Sequence, residues 1–243
     1  MTGDGQSLFV ATGNTFATTT WGGGEAVLRL ATDLAPPTAK RNFFAASNWL
    51  ALDKSDTDLG STAPIPLDPP VPGGTRALMF AAGKDGFAYL LDRDALGGFG
   101  GQLVKLRINS GENRVAPAVW PTAGGVLLAL TGGGVGCPTG GGQGLIALKI
   151  VATPKPAIDV AWCAALNSQD ASPIVTTTDG TSNPIVWVLG AGGDNRLHAF
   201  HGGTGASIVS SPVLQGLHHF QTLIATSDRL YVAADNMVYA FGF

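Results

Sequence analysis

The side chains able to do chemistry in this chain are few, and most fall in short turns. Lys84-Asp85 and Asp194-Asn195-Arg196 each set a cation beside a carboxylate, a pairing suited to holding a polar ligand. The adjacent His218-His219 could offer a metal ligand. Neighbouring strand residues point to opposite faces, so only one of the two would meet a given ion; a histidine in a turn is otherwise simply solvated. Trp21 lies in a long loop, Cys137 and Cys163 are the only cysteines, and Glu25 and Glu112 are the only glutamates. Glycosidase-style paired carboxylates stay open as a reading, although glutamate occurs only twice. Each turn residue also has a bland reading: Asp-Gly and Asp-Asn favour tight turns for local backbone reasons, and charges collect in loops. There is no G-x-S-x-G elbow, no H-E-x-x-H and no phosphate loop. The glycines of TGGGVGCPTGGGQG (Thr131–Gly144) do not open a helix, so they form no nucleotide cradle. No residue is assigned as a catalyst or as a metal ligand.

What positions these turns is a recurring hairpin. In TRALMFAAGKDGFAYLLDRDALGG (Thr75–Gly98), two apolar runs flank a Lys-Asp-Gly turn, with Gly86 free to take a positive φ. The same figure appears in Ser7–Gly13 with Glu25–Asp33, in Gly125–Gly133 with Gly144–Ile150, in Ile185–Gly205 and in Arg229–Phe243. A strand with a small residue before proline precedes three of the units, at Pro64, Pro117 and Pro173, spaced 53 and 56 residues apart. His218–Thr226 takes that place in the fifth unit without the proline. A four-stranded unit repeated at about 40–50 residues is a propeller blade. The runs are short, rich in Val, Ile, Leu, Phe and Ala, and no helical stretch is expected between them. The alternative is a β-sandwich with irregular strands; the ordered recurrence of hairpin and pre-strand favours the propeller.

Composition agrees. Hydrophobic residues make up 45% of the 243, enough for a large all-β core, while charged residues are only 13%, about half the usual share. The 35 glycines and 15 prolines are spread between apolar runs, as tight turns between strands require. A net charge of −3 gives no basic footprint for nucleic acid, and no apolar run approaches a membrane span. The start, MTGDGQSLFVATGN, has neither the basic nor the apolar region of a signal peptide. Either the protein stays in the cytoplasm or an export signal lies outside this chain.

LHAFHGGTGASIV (Leu197–Val209) resembles the repeat of the quinoprotein-like (pyrroloquinoline quinone repeat) propellers, roughly A-x-D-x-x-T-G-x-x-x-W. Ala199, Thr204 and Gly205 match, whereas His201 stands at the aspartate and Val209 at the tryptophan. The GKDGFAYLLDRDALGG stretch resembles another repeat, with Asp92 at the aspartate position. Trp49 and Trp162 are expected to close outer strands of the first and third units, where that family's docking tryptophans sit. The resemblance implies seven or eight blades, whereas about five are present here. It also brings in a quinone with calcium as a cofactor for relatives that oxidise alcohols or sugars. Their adjacent cysteine pair is absent, and no calcium ligand can be carried over residue by residue.

The expected architecture is therefore an all-β propeller of four-stranded antiparallel blades over residues 1–243, the first and last incomplete. It would be the C-terminal part of a larger propeller, or a tight five-bladed ring closed by packing alone. Open blade edges would favour self-association. With strands A to D counted outward from the axis, the B–C and D–A loops share one face, where propeller ligands usually sit. That face gathers Trp21, Lys84, Asp85, Asp194, Asn195, Arg196, His218 and His219, together with Asp56, Asp58, Glu112, Arg114 and Asp170. Cys137 in a B–C loop and Cys163 at the end of a D strand also meet on that face, so a disulfide is expected, marking an oxidising compartment. The function this points to is a periplasmic or extracellular scaffold that binds a small molecule or a protein. The alternative is a pyrroloquinoline quinone-dependent dehydrogenase or part of one, and the third reading is a metal-dependent propeller hydrolase or lactonase.

Overall fold

The computed structural model describes residues 7–16, 18–168 and 170–242. Residues 1–6, read above for a leader, and Phe243, the last residue of the fifth unit, lie outside them. The chain forms two compact units, Met1–Arg114 with Val151–Ile158, and Val115–Ile150 with Asp159–Phe243.

In the first unit, β1 (Leu8–Thr12), β2 (Ala26–Leu30) and β3 (Phe43–Ala45) form an antiparallel meander. A helix follows, α1 (Trp49–Ser55), then β4 (Ile65–Leu67) and a small hairpin of β5 (Pro70–Val71) and β6 (Gly74–Thr75). The hairpin recognised first in the sequence is β7 (Leu78–Ala82) with β8 (Phe87–Asp92). Beyond it come β9 (Gly98–Phe99) and β10 (Val104–Arg107). The second sheet is ordered β10-β8-β7-β4, the A-to-D order expected of a blade read from its outer edge. Gly86 takes φ +78°, and a Cβ there would stand 2.5 Å from the Asn109 carbonyl, so the turn needs glycine.

Two expectations fail here. Trp49 does not close an outer strand; it opens α1, so a helix does interrupt the strands. WLALDKS holds good helix formers, buries Leu52 and Asp53, and stops at Asp56 in the left-handed conformation, φ 55°. Seven residues are too few to display a helical period. The first sheet is also not purely antiparallel. The loop after β8 crosses to its outer edge, where β9 runs parallel to β3, with Gly100 N–H donating to the Ala45 carbonyl at 2.8 Å. Leu96, fully buried in that loop, ties the crossing down.

The second unit repeats the figure. β11 (Ala118–Thr122), β12 (Gly125–Gly132), β13 (Gly144–Val151) and β14 (Ala157–Ala165) form one sheet in chain order. Next come β15 (Ile174–Thr176), β16 (Ile185–Leu189), β17 (Leu197–His201) and β18 (Ser207–Ser210), again in chain order. The last sheet has three strands, β19 (Ile224–Ala225), β20 (Arg229–Ala234) and β21 (Met237–Gly242).

Side chains two apart along a strand share a face, and the cores follow that rule. Met79 and Ala81 of β7 and Tyr89 and Leu91 of β8 pack with Phe9, Val27 and Phe44 of the first sheet. In the second unit, Leu127 and Ala129, Leu145 and Ala147, and Trp162 and Ala164 pack with Val186 and Val188. Each core thus lies between consecutive sheets. β7 is buried at every position and β12 at seven of eight, so these inner strands are covered on both faces.

Candidate functional site

In the first unit the turn between β7 and β8 meets the loop that follows α1. Lys84 Nζ lies 2.6 Å from the Asp58 carboxylate and 3.3 Å from that of Asp56. The bond to Asp58 raises the lysine above its ordinary value, against the effect of burial. Asp85 turns inward: its carboxylate accepts the Phe87 N–H at 3.1 Å and a short bond from the Tyr89 hydroxyl. Burial, with the Asp85 charge beside it, pushes that phenol well up. The loop after β10 closes the cluster. The Asn113 side chain donates to the Gly83 carbonyl at 3.1 Å, and Ile108 and Asn109 N–H both donate to Gly86 O. Lys84 and Asp85 are therefore held by the loop pair that brings them together.

Behind this surface lie two fully buried carboxyl groups that the turn pattern did not single out. Asp53, on α1, accepts Thr15 N–H at 2.5 Å, Thr15 Oγ1 at 3.1 Å and Phe16 N–H at 3.2 Å, so the helix anchors the long β1–β2 loop. Glu25 accepts the Leu59 N–H at 2.9 Å through Oε2, while its Oε1 is buried with no hydrogen-bond partner. Burial pushes the Glu25 carboxyl up to about 7; the nearby Asp58 and Asp53 add to this, while the Leu59 N–H and Lys84 oppose it.

A stability signature follows. Between the ordinary glutamate value of 4.5 and about 7, the folded chain holds a proton that the unfolded chain has released. Stability then falls as pH rises through that window and levels off above it. The drop is at most about 3.5 kcal/mol, since a tenfold difference in proton affinity is worth about 1.4 kcal/mol. Glu25→Gln, neutral throughout and still able to accept the Leu59 N–H, is expected to flatten the pH 4.5–7 slope in urea denaturation. An unchanged slope would assign it to another group.

Trp21, in the β1–β2 loop, packs against Phe43 at 4.5 Å and Phe99 at 5.1 Å between ring centroids. Its indole N–H donates to Gly24 O at 2.7 Å. It is half-buried.

In the second unit, Asp194, Asn195 and Arg196 form the turn between β16 and β17, Asn195 at φ 55°. Asp194 accepts the Arg196 N–H at 3.1 Å and sits 2.9 Å from His198 Nε2, while His198 Nδ1 lies 2.8 Å from Ser210 Oγ. Arg196 donates to the Ser211 carbonyl at 2.6 Å. His218 Nε2 lies 2.8 Å from Asp235 Oδ1 in the next turn, and His219 stands edge-on to Phe220. The two histidines thus go to different neighbours. Cys137 and Cys163 form a disulfide, with Cα atoms 5.7 Å apart.

Sequence reasoning passed over Asp53, Asn109, Asn113 and His198, and took Glu25 only as one of two glutamates. Of these, His198 lies two residues from the Asp194–Arg196 turn that the hairpin pattern had marked; Asp53, Asn109 and Asn113 carry no such local signal. Among the described residues no group of three or more His, Cys, Asp or Glu side chains is placed to hold a metal ion.

No family model matches the chain, and no curated protein matches it. Among solved structures it is similar to BamB from Moraxella catarrhalis, with 15% identity, TM-score 0.41, and 68% of this chain and 42% of that one covered. It is also similar to quinohemoprotein alcohol dehydrogenases. That of Comamonas testosteroni shows 16% identity and TM-score 0.45 over 87% of this chain and 38% of that one. ADHIIG of Pseudomonas putida HK5 shows 15% and 0.48 over 86% and 38%. The chain spans about two fifths of the length of each of these proteins.

Proposed function

We propose that the five sheets are blades of a β-propeller and that the chain is a non-catalytic binding scaffold. Recognition is assigned, within each unit taken by itself, to its B–C and D–A loops. One observation carries this reading: the side chains there that could do chemistry are already engaged within the chain. Lys84 is paired with Asp58, Asp85 with Tyr89, Arg196 with the Ser211 carbonyl, and His218 with Asp235. Such groups form a fixed polar surface, which suits recognition by preorganised contacts better than proton transfer to a substrate. The partner is a peptide segment or small molecule with polar groups to match Lys84 in the first unit, or Arg196 in the second. The disulfide supports a periplasmic or extracellular setting, where such bonds persist.

The test is selection from a random peptide display library. Peptides enriched on the folded protein are expected to lose about tenfold or more in affinity on Lys84→Ala or Arg196→Ala, equivalent to at least about 1.4 kcal/mol. Melting curves of both variants establish that they fold. Peptides whose binding survives both changes, and maps instead to the C–D turns, would place recognition elsewhere.

A further inference from the structure

At the opposite ends of β1 and β2, away from the loops described above, the first unit has a cleft of about 350 Å³ lined by Ser7, Arg29, Leu30, Ala31, Arg41 and Asn42. Pairing of Leu8 with Leu30 sets Ser7 opposite Ala31, and the short 3-10 turn Lys40–Asn42 supplies the remaining wall. Among the described residues, two guanidinium groups line this cleft and no carboxylate does. Four of the other six arginines make the contrast: Arg76, Arg93, Arg114 and Arg229 each pair with an Asp or Glu, while Arg107 and Arg196 donate to the Ser110 and Ser211 carbonyls. Among the described residues, Arg29 and Arg41 pair with none. In a chain with 17 acidic and 14 basic side chains, acids were available to neutralise them.

The two arginines are held in different ways. Arg29 donates from Nε to Ser7 Oγ at 3.0 Å, and its guanidinium carbon lies 6.0 Å from the Phe9 ring centroid. Nε is thus engaged, and the guanidinium lies at the cleft that Arg29 lines. Arg41 is exposed and makes one long bond, 3.4 Å, to the Asp94 carbonyl. A planar fork with unused donors matches the paired oxygens of a phosphate or carboxylate. The cleft's volume lies at the lower end of the range for small-molecule sites.

We infer that this cleft binds a small molecule through an oxyanion group, phosphate or carboxylate, gripped by Arg29 and Arg41 with Ser7 and Asn42 as further polar contacts. Leu30 and Ala31 would meet the apolar part of the molecule. This site is independent of the loop face proposed above, since it uses none of the same residues.

The experiment is calorimetric titration of the whole chain at low salt with three probes: inorganic phosphate, pyrophosphate and succinate. At least one is expected to bind saturably with a dissociation constant below about 1 mM, weakening as salt is raised. Phosphate and pyrophosphate ahead of succinate would identify a phosphate ligand, and the reverse order a carboxylate. Arg41→Met, at an exposed position, should weaken binding about tenfold with the melting curve unchanged. Arg29→Lys keeps the charge and loses the fork, and should weaken binding similarly. Failure of all three probes to saturate overturns the inference, and so does binding that both variants leave intact.

Discussion

Replacing Trp162 with alanine is expected to cost about 3–5 kcal/mol of folding stability, the range for emptying a buried tryptophan site. Trp162 sits on β14, the outer strand of the third sheet, with only 5% of its surface exposed. Its indole N–H donates to the Gly202 carbonyl at 2.7 Å, in the turn that joins β17 to β18 of the following sheet. Gly205 of that turn has φ +72°, and a Cβ placed on it would stand 2.5 Å from the indole ring. The ring therefore spans from one sheet to the next, and the glycine is there to admit it. Two further variants separate the contributions. Trp162→Phe keeps much of the packing and loses the hydrogen bond, so a loss nearer 1–2 kcal/mol is expected. Gly205→Ala meets both an unfavourable φ and a clash with the indole, and should fall between the two. Urea denaturation reads all three. A loss below about 1 kcal/mol for Trp162→Ala would mean that the contact between sheets is not what holds them.

The second large effect is expected on removing the disulfide. Cys137 and Cys163 are 26 residues apart in sequence, and closing a loop of that size removes about 3–4 kcal/mol of entropy from the unfolded chain. The double replacement by serine should lower stability by about that amount, and reduction of the native protein should lower its melting temperature alike. Glycines around the bridge bear on the same point. A Cβ on Gly142 would stand 2.1 Å from the Ala165 amide nitrogen, so the glycine loop is laid directly against the end of β14. Loss of the bridge is expected to loosen that loop first, giving faster amide exchange at residues 134–143 while β12 stays protected. Equal stability of native and double-serine proteins would show that packing of the glycine loop alone suffices.

The hairpins were legible because each carries its own local evidence. An apolar run, a turn with Gly86, Asn195 or Asn236, and a second apolar run need no knowledge of the rest of the chain. The disulfide was legible for a related reason: strand alternation put both cysteines on one face. Trp162 was expected on an outer strand only from the position of tryptophans in the family that the repeat resembles; its contact with the Gly202–Gly205 turn had no local sign. Trp49 showed the limit of that argument. It precedes Leu-Ala-Leu and lies beside no such turn, and it starts a helix too short to announce a period. β9 could not be read either, since two residues pair with β3 only because a loop crosses from another sheet. The buried polar residues were hidden for a similar reason. Glu25, Asp53 and Asn113 acquire their roles from loops that meet in space, and nothing local sets them apart from surface residues.

If the engaged side chains of the loop face form a recognition surface, they take no part in a redox reaction. An absorption titration of the purified chain with pyrroloquinoline quinone and Ca²⁺, followed by dye-linked assays with alcohols and sugars, tests this most directly. A binding scaffold should give no saturable change in the quinone spectrum and no turnover above the quinone and Ca²⁺ alone. Saturable uptake with dye reduction that depends on the added substrate would contradict it.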